Sequence, residues 1–142
     1  MLDLHRAALY ARADGSFVGE RRRWLTIVDA IVTGENEGPL RPDPVYSGVI
    51  LAGADQALVD LACARMIGFD PLRIPCVSEA FAVGEWPITA HAMDDLEVVP
   101  ELPSRPLRPS LGWLGHVERP DVPREEPEHA EDPYADARTD LA

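Results

Sequence analysis

The sequence contains no lysine, and arginine supplies all 13 of its basic residues. Acidic residues number 25, which gives a formal net charge of -12. Proteins that bind nucleic acid or an anionic membrane surface need basic patches that neutralise phosphates. We therefore expect neither nucleic acid nor membrane as a partner. The lack of lysine also argues against a nucleotide phosphate-binding loop, whose motif includes one.

Cysteine and metal-ligand patterns are also sparse. Cys63 and Cys76 are the two cysteines, and they form no Cys-x-x-Cys pair. Two thiols are too few to ligate an iron–sulfur cluster or to scaffold a disulfide fold, so we expect no iron–sulfur cluster in this chain. We predict that both cysteines are reduced and buried as small apolar residues. The 4 histidines are far apart in sequence and show no metal-ligand spacing.

Long hydrophobic runs are missing. No segment approaches the roughly 20 apolar residues of a membrane span, and residues 1–15 show no basic stretch followed by an apolar run, as a secretory signal requires. These patterns predict a soluble, cytoplasmic protein.

Periodicity predicts helices and strands in alternation. Apolar residues at helical spacing predict a helix over residues 2–12. Residues 24–32 and 47–53 are β-branched apolar runs with two apolar faces, which is typical of strands covered on both sides. A helix follows, which we expect Asp55 to cap at its start and Gly68, in a left-handed conformation, to end.

The remaining segments are less regular. Residues 33–46 contain two glycines and three prolines and are predicted to form a loop between the strands. Residues 76–84 predict a short helix, and residues 95–100 a last edge strand. The chain from residue 100 onward holds eight of the 14 prolines and is strongly acidic, as disordered or loosely draped segments often are.

Together these elements predict an α/β fold with a small parallel or mixed sheet and flanking helices, which forms part of a larger domain. We divide the chain into a partial α/β domain over residues 1–100 and a disordered, proline-rich acidic tail over residues 101–142.

Asp29 interrupts the apolar row of the first predicted strand. Strand alternation places it on one face with Leu25, Ile27 and Ile31. A buried carboxylate needs an ion pair, hydrogen bonds or a metal ion. Two interpretations stay open: Asp29 is a ligand or acid/base group at the carboxyl end of the strand, or it is a structural acceptor of backbone N–H groups.

The following loop brings further oxygen ligands. Glycines at 34 and 38 bracket Glu35, Asn36 and Glu37. Carboxylate and amide oxygens suit Mg²⁺ or Ca²⁺, although the order of residues matches neither a calcium-binding EF-hand nor a phosphate loop. A solvated turn is the simpler interpretation.

A candidate site combines these residues with the predicted helix. Asp60 lies on that helix without an oppositely charged residue one turn away. If the two strands are parallel, Asp29, Glu35, Asp55 and Asp60 converge at one edge of the sheet. If they are antiparallel, Asp55 lies at the opposite edge and the constellation falls apart. The predicted ligand-binding residues are Asp29, Gly34, Glu35, Gly38, Asp55 and Asp60, and the predicted metal ligands are Asp29, Glu35 and Asp60.

The joint pattern resembles a family known as domain of unknown function 362 over about residues 4–85. The matching positions are Asp29, Ile31, Gly34, Glu35, Gly38, Pro39, Asp55, Ala57, Asp60, Met66, Gly68, Phe69 and Asp70. The chain departs from the family pattern at Ala30, Asn36 and Gln56. The resemblance covers the carboxyl-terminal half of the family domain and lacks the ferredoxin-type cysteines that some relatives carry. The resemblance implies no particular activity.

Two functions are consistent with the sequence. The first is an acidic pocket for a ligand or for Mg²⁺ or Ca²⁺ at the strand ends. The second is a non-catalytic, truncated or partner-dependent module, whose acidic residues are structural and whose sheet is completed by a second chain or by oligomerisation, because a sheet of two or three strands is marginal alone.

Overall fold

The computed structural model describes residues 1–123. Five regular elements follow one another along this part of the chain: helix α1, strands β1 and β2, and helices α2 and α3. Their bounds are Leu2–Tyr10 for α1, Thr26–Glu37 for β1, Arg41–Gly53 for β2, Gln56–Met66 for α2 and Pro75–Ser78 for α3. Short 3-10 turns lie at Pro71–Arg73, Glu79–Phe81, Met93–Asp95 and Leu111–Trp113.

The helices agree with the sequence predictions. The α2 helix starts after Asp55 and ends at Met66, and Gly68 follows it at a φ of 76°. The amide of Phe69 donates to the Ala64 carbonyl over 2.9 Å, and the amide of Gly68 donates to the Arg65 carbonyl over 3.2 Å. This bonding pattern closes a helix with a left-handed residue just beyond its last turn, a position that glycine adopts without steric cost.

The sheet corrects the predicted topology. Strands β1 and β2 form a two-stranded antiparallel hairpin, with Thr26 opposite Gly53 at its base and Glu37 opposite Arg41 at its tip. The predicted parallel or mixed sheet is therefore wrong, and most of the predicted loop over residues 33–46 is strand. Pro42 and Pro44 are compatible with β2 because both strands of a hairpin are edge strands, where a missing N–H facing solvent breaks no ladder bond.

One face of the hairpin packs against α2. We call it the inner face, and Ala30, Leu51 and Met66 form its buried core. In a second cluster, buried residues of α1 pack against the start of α2 and against the segment after α3. These are Leu9, Tyr10, Ala57, Ala80 and Ile88.

Residues 101–123 pack against the end of α2, which corrects the expectation of a disordered or loosely draped tail from residue 101. The amides of Arg105 and Leu107 donate to the Met66 and Ile67 carbonyls over 2.7 and 3.0 Å, and Leu107 is buried. Carbonyls in the last turn of a helix lack partners within the helix, so this segment satisfies them. The rest of the predicted tail, residues 124–142, lies outside the described residues.

Residues 96–100, predicted as most of an edge strand, form no strand and follow the turn at Met93–Asp95. Within residues 1–123, no helix combines the length and the apolar character needed to cross a bilayer.

Candidate functional site

The hairpin face turned away from α2, which we call the outer face, is apolar and open. Six of its side chains are 40 to 68% exposed: Leu25, Ile27, Ile31, Val32, Tyr46 and Ile50. Ile27 pairs directly with Ala52, and Val32 with Tyr46, so the row on each strand continues onto the other. Contiguous exposed apolar patches on proteins usually mark binding surfaces.

Asp29 lies in the middle of the outer face, opposite Ile50. The sequence places it correctly in a row with Ile27 and Ile31, but that row is exposed rather than buried. Its Oδ1 accepts a hydrogen bond from the amide of Ile31 over 3.0 Å, beside the irregularity in pairing between Ala30 and Val32. In the isolated chain Asp29 is therefore a solvated carboxylate that braces a bulge.

Asp55 is buried and fully engaged. Its Oδ1 accepts from the amides of Ala57 and Leu58 over 3.1 and 3.3 Å, as a helix cap does. Its Oδ2 accepts from Thr89 Oγ1 over 2.8 Å and from Arg21 Nη1 over 3.2 Å. With 8% of the side chain exposed, both oxygens are committed to holding three segments together.

The glycine-bracketed segment lies at the hairpin tip. A Cβ on Gly34 would lie 2.6 Å from Pro42 Cβ, so glycine is needed there for the strands to approach. Gly38 opens the turn into β2. Glu35 Oε2 accepts from the amide of Arg108 over 2.9 Å, and Glu37 Oε1 accepts from the amide of Leu111 over 3.1 Å. These carboxylates bind residues 108–111 to the hairpin tip.

Asp60 projects from the exposed side of α2. Partial burial raises the pKa of its carboxyl, and nearby His5 opposes this shift. Burial also raises the pKa of the half-buried Cys63 thiol, with the charge of Asp60 as a second cause. Cys76 is exposed, which corrects the prediction that both cysteines are buried.

The antiparallel register distributes the predicted site residues over the hairpin. Glu35 lies near the tip, opposite Asp43, and Asp29 lies in the middle. Asp55 follows the base end of β2. Within residues 1–123, no group of three His, Cys, Asp or Glu side chains is arranged to hold a metal ion. The expected set of Asp29, Glu35 and Asp60 is therefore not brought together, because convergence requires parallel strands.

Sequence reasoning missed the roles of the arginines before β1. Arg21 donates to both Asp55 and the Ile88 carbonyl, the latter over 2.5 Å. Arg22 donates to the Ala8 carbonyl over 2.5 Å and also to the Ala11 carbonyl. No sequence signal identified these partners, which lie 11 to 67 residues away along the chain.

Comparison with known proteins adds one finding. Residues 1–65 match the family described as Domain of unknown function (DUF362). The resemblance is thus confirmed for the part of the chain that holds α1, the hairpin and most of α2, including all six predicted site residues. The positions Met66, Gly68, Phe69 and Asp70 lie beyond the matched range. No curated protein and no solved structure matches the chain.

Proposed function

We propose that this chain, whose residues 1–65 match DUF362, is an interaction module completed by a second copy of itself through the outer face of the hairpin. The exposed apolar surface of that face is the single observation that carries the proposal. The sheet of the described residues has two strands. A two-stranded hairpin alone is marginally stable in water, and the described residues cover its inner face with α2 but leave the outer face open, so a partner on that face would stabilise the hairpin.

The chemistry of the outer face favours a second copy as the partner. An antiparallel hairpin presents related rows on its two strands, and an isologous interface needs a surface that is complementary to itself. The face carries one carboxylate, Asp29, and one phenolic hydroxyl, Tyr46. These groups are an acceptor and a donor, which two copies can exchange across a two-fold axis. Apolar contacts around them supply the driving force.

The acidic residues support an interaction role over a catalytic one. Asp55, Glu35 and Glu37 are occupied by backbone or side-chain donors within the chain. Each of these carboxylates holds a segment of the fold in place. The outer face, by contrast, has an apolar surface without a cover among residues 1–123.

The test is the mass of the full chain in solution, measured by size-exclusion chromatography with light scattering over a range of concentrations. We expect a species of twice 15.6 kDa that dissociates on dilution. The double variant Ile27→Ser/Ile50→Ser removes apolar side chains from the outer face and is expected to shift the equilibrium to monomer. A wild-type chain that stays monomeric at every concentration contradicts the proposal.

Val83→Ser is the matched control. Val83 is a fully exposed apolar residue outside the hairpin, so its replacement changes surface hydrophobicity without touching the outer face. We expect this variant to associate as the wild type does. Equal effects of Val83→Ser and of the double variant would show that general surface hydrophobicity, rather than this face, drives association.

A further inference from the structure

A cleft of about 320 Å³ lies where the hairpin tip meets residues 107–117. We call it the tip cleft. Its walls come from the tip, from residues just after α2 and from residues 107–117. Small-molecule sites in proteins begin at about this volume. The tip cleft differs from the outer face, since none of the six exposed apolar side chains of that face lines it.

The walls of the tip cleft are mostly apolar. Ile67, Phe69 and Leu107 line it, and Trp113, which is half-exposed, adds an indole ring. Glu35 contributes the one carboxylate among the lining residues and Arg108 the one basic residue. A mostly apolar site with a carboxylate suits a cation with an apolar body, because the carboxylate offsets the loss of hydration of the charge.

Backbone hydrogen bonds hold these walls in position. The amide of Asn36 donates to the Arg108 carbonyl over 2.9 Å, and the Arg108 amide donates to Glu35 over 2.9 Å. Glu37 makes a parallel bond to the amide of Leu111 but does not line the cleft. The arrangement therefore offers two similar carboxylates, of which one faces the cleft.

We propose that the tip cleft binds a small organic cation, such as a quaternary ammonium group, between Glu35 and the indole of Trp113. Aromatic faces attract such cations, and the attraction increases as water is excluded. The formal charge of -12 raises the concentration of cations near the chain.

The probe is choline, compared with its neutral isostere 3,3-dimethylbutan-1-ol, and the readout is the indole N–H resonances of the 3 tryptophans in the full chain. We expect choline to shift the Trp113 resonance in a saturable manner at millimolar concentration and to leave those of Trp24 and Trp86 in place. The neutral isostere is expected to bind roughly tenfold more weakly, which corresponds to about 1.4 kcal/mol. Equal binding of the two probes, or no shift of Trp113 with choline, overturns the proposal.

Two variants separate the role of the charge from that of the fold. Glu35→Gln keeps an oxygen that accepts from Arg108 and removes the charge, so we expect choline binding to weaken about tenfold, to the level of the isostere. We call the bonds of Glu35 and Glu37 to the amides of Arg108 and Leu111 the clamp. Glu37→Gln removes an equal charge from the clamp, outside the cleft, and is expected to change the affinity less than twofold. Hydrogen exchange at the Arg108 and Leu111 amides reports whether the clamp is intact in both variants. Equal loss of affinity in both variants with the clamp intact overturns the role of Glu35.

Discussion

The two faces of the hairpin have similar composition and opposite environments. Ala30 and Leu51 on the inner face are buried against α2, whereas Ile27, Tyr46 and Ile50 on the outer face are exposed. Both faces are apolar because strand side chains alternate within a run that is apolar throughout. An apolar run with two apolar faces predicts that other residues cover each face. Residues 1–123 cover the inner face with α2 and leave the outer face exposed.

The acidic residues divide along the same line. Asp55, at the base of the hairpin, is buried. It caps α2, forms an ion pair with Arg21 and accepts a hydrogen bond from the Thr89 hydroxyl. Asp29, on the outer face, is exposed and makes a single local bond. Carboxylates that look alike in the sequence therefore have different structural importance, and mutation can measure the difference.

The largest expected effect comes from truncation on the inner face. Leu51→Ala leaves a cavity beside α2 and is expected to lower the free energy of unfolding by about 3 kcal/mol. Ile50→Ala, its neighbour on the outer face, is expected to change that free energy by less than about 0.5 kcal/mol. Urea denaturation at a concentration where the chain is monomeric makes the comparison. Similar losses in both variants would contradict the assignment of the two faces.

The next effect separates the two carboxylates. Asp55→Ala removes the cap of α2 and the partners of Arg21 and Thr89, and we expect a loss of about 2 kcal/mol. Asp29→Ala is expected to cost less than about 0.5 kcal/mol, because its carboxylate is solvated. Thermal unfolding followed by circular dichroism reports both. A larger loss for Asp29→Ala would mean that the outer face is covered within the chain.

Salt should strengthen association through the outer face. Each copy carries a formal charge of -12, so like-charge repulsion opposes pairing, and added salt screens it while leaving apolar contacts in place. We expect the dissociation constant of the dimer to fall several-fold between low and moderate NaCl, as measured by sedimentation equilibrium. Weakening by salt would indicate an interface built on opposite charges instead.

The smallest effect concerns Asp60. Burial raises the pKa of its carboxyl in the folded state, so the protonated form is favoured, and stability is lost as the pH rises from below 3.8 through the folded pKa. Asp60→Asn removes that loss. We expect the variant to melt on the order of 1–2 °C above the wild type at pH 7, with the gap closing below pH 3.8.

Glu97→Gln serves as the control for Asp60→Asn, since Glu97 is an exposed carboxylate that is not part of α2. We expect its melting temperature to follow that of the wild type at both pH values. A gap that persists at low pH in Asp60→Asn would attribute the effect to helix propensity rather than to ionisation.

Local features of the fold were predictable from particular residues. The position of Asp55 before an apolar helix and of Gly68 after it identified both ends of α2, because caps satisfy backbone groups within a few residues. The direction of β2 relative to β1 was not predictable. Turn-forming residues over 33–46 suggested a loop, yet glycine and proline fit a hairpin whose two strands are both edges.

The candidate site shows the same division. Asp29, Glu35 and Asp55 were identified as carboxylates that need a structural or chemical reason, and each has a bonded role in the fold. Their convergence depended on strand direction, and the side-chain partners of Asp55 lie 34 residues away on either side. The partners of Glu35 and Glu37 lie more than 70 residues away. Patterns within a short window carry no information about such pairs.

By itself, the sequence determined the helix ends, the apolar character of both hairpin faces, and the acidic balance of the chain, since these depend on neighbouring residues and on composition. Only the tertiary structure decided that the strands are antiparallel, that Arg21 neutralises Asp55, and that residues 101–123 pack beside α2 and the tip. The physical reason is that these contacts join segments far apart in sequence. They form because burial and backbone hydrogen bonding are satisfied together in the folded chain.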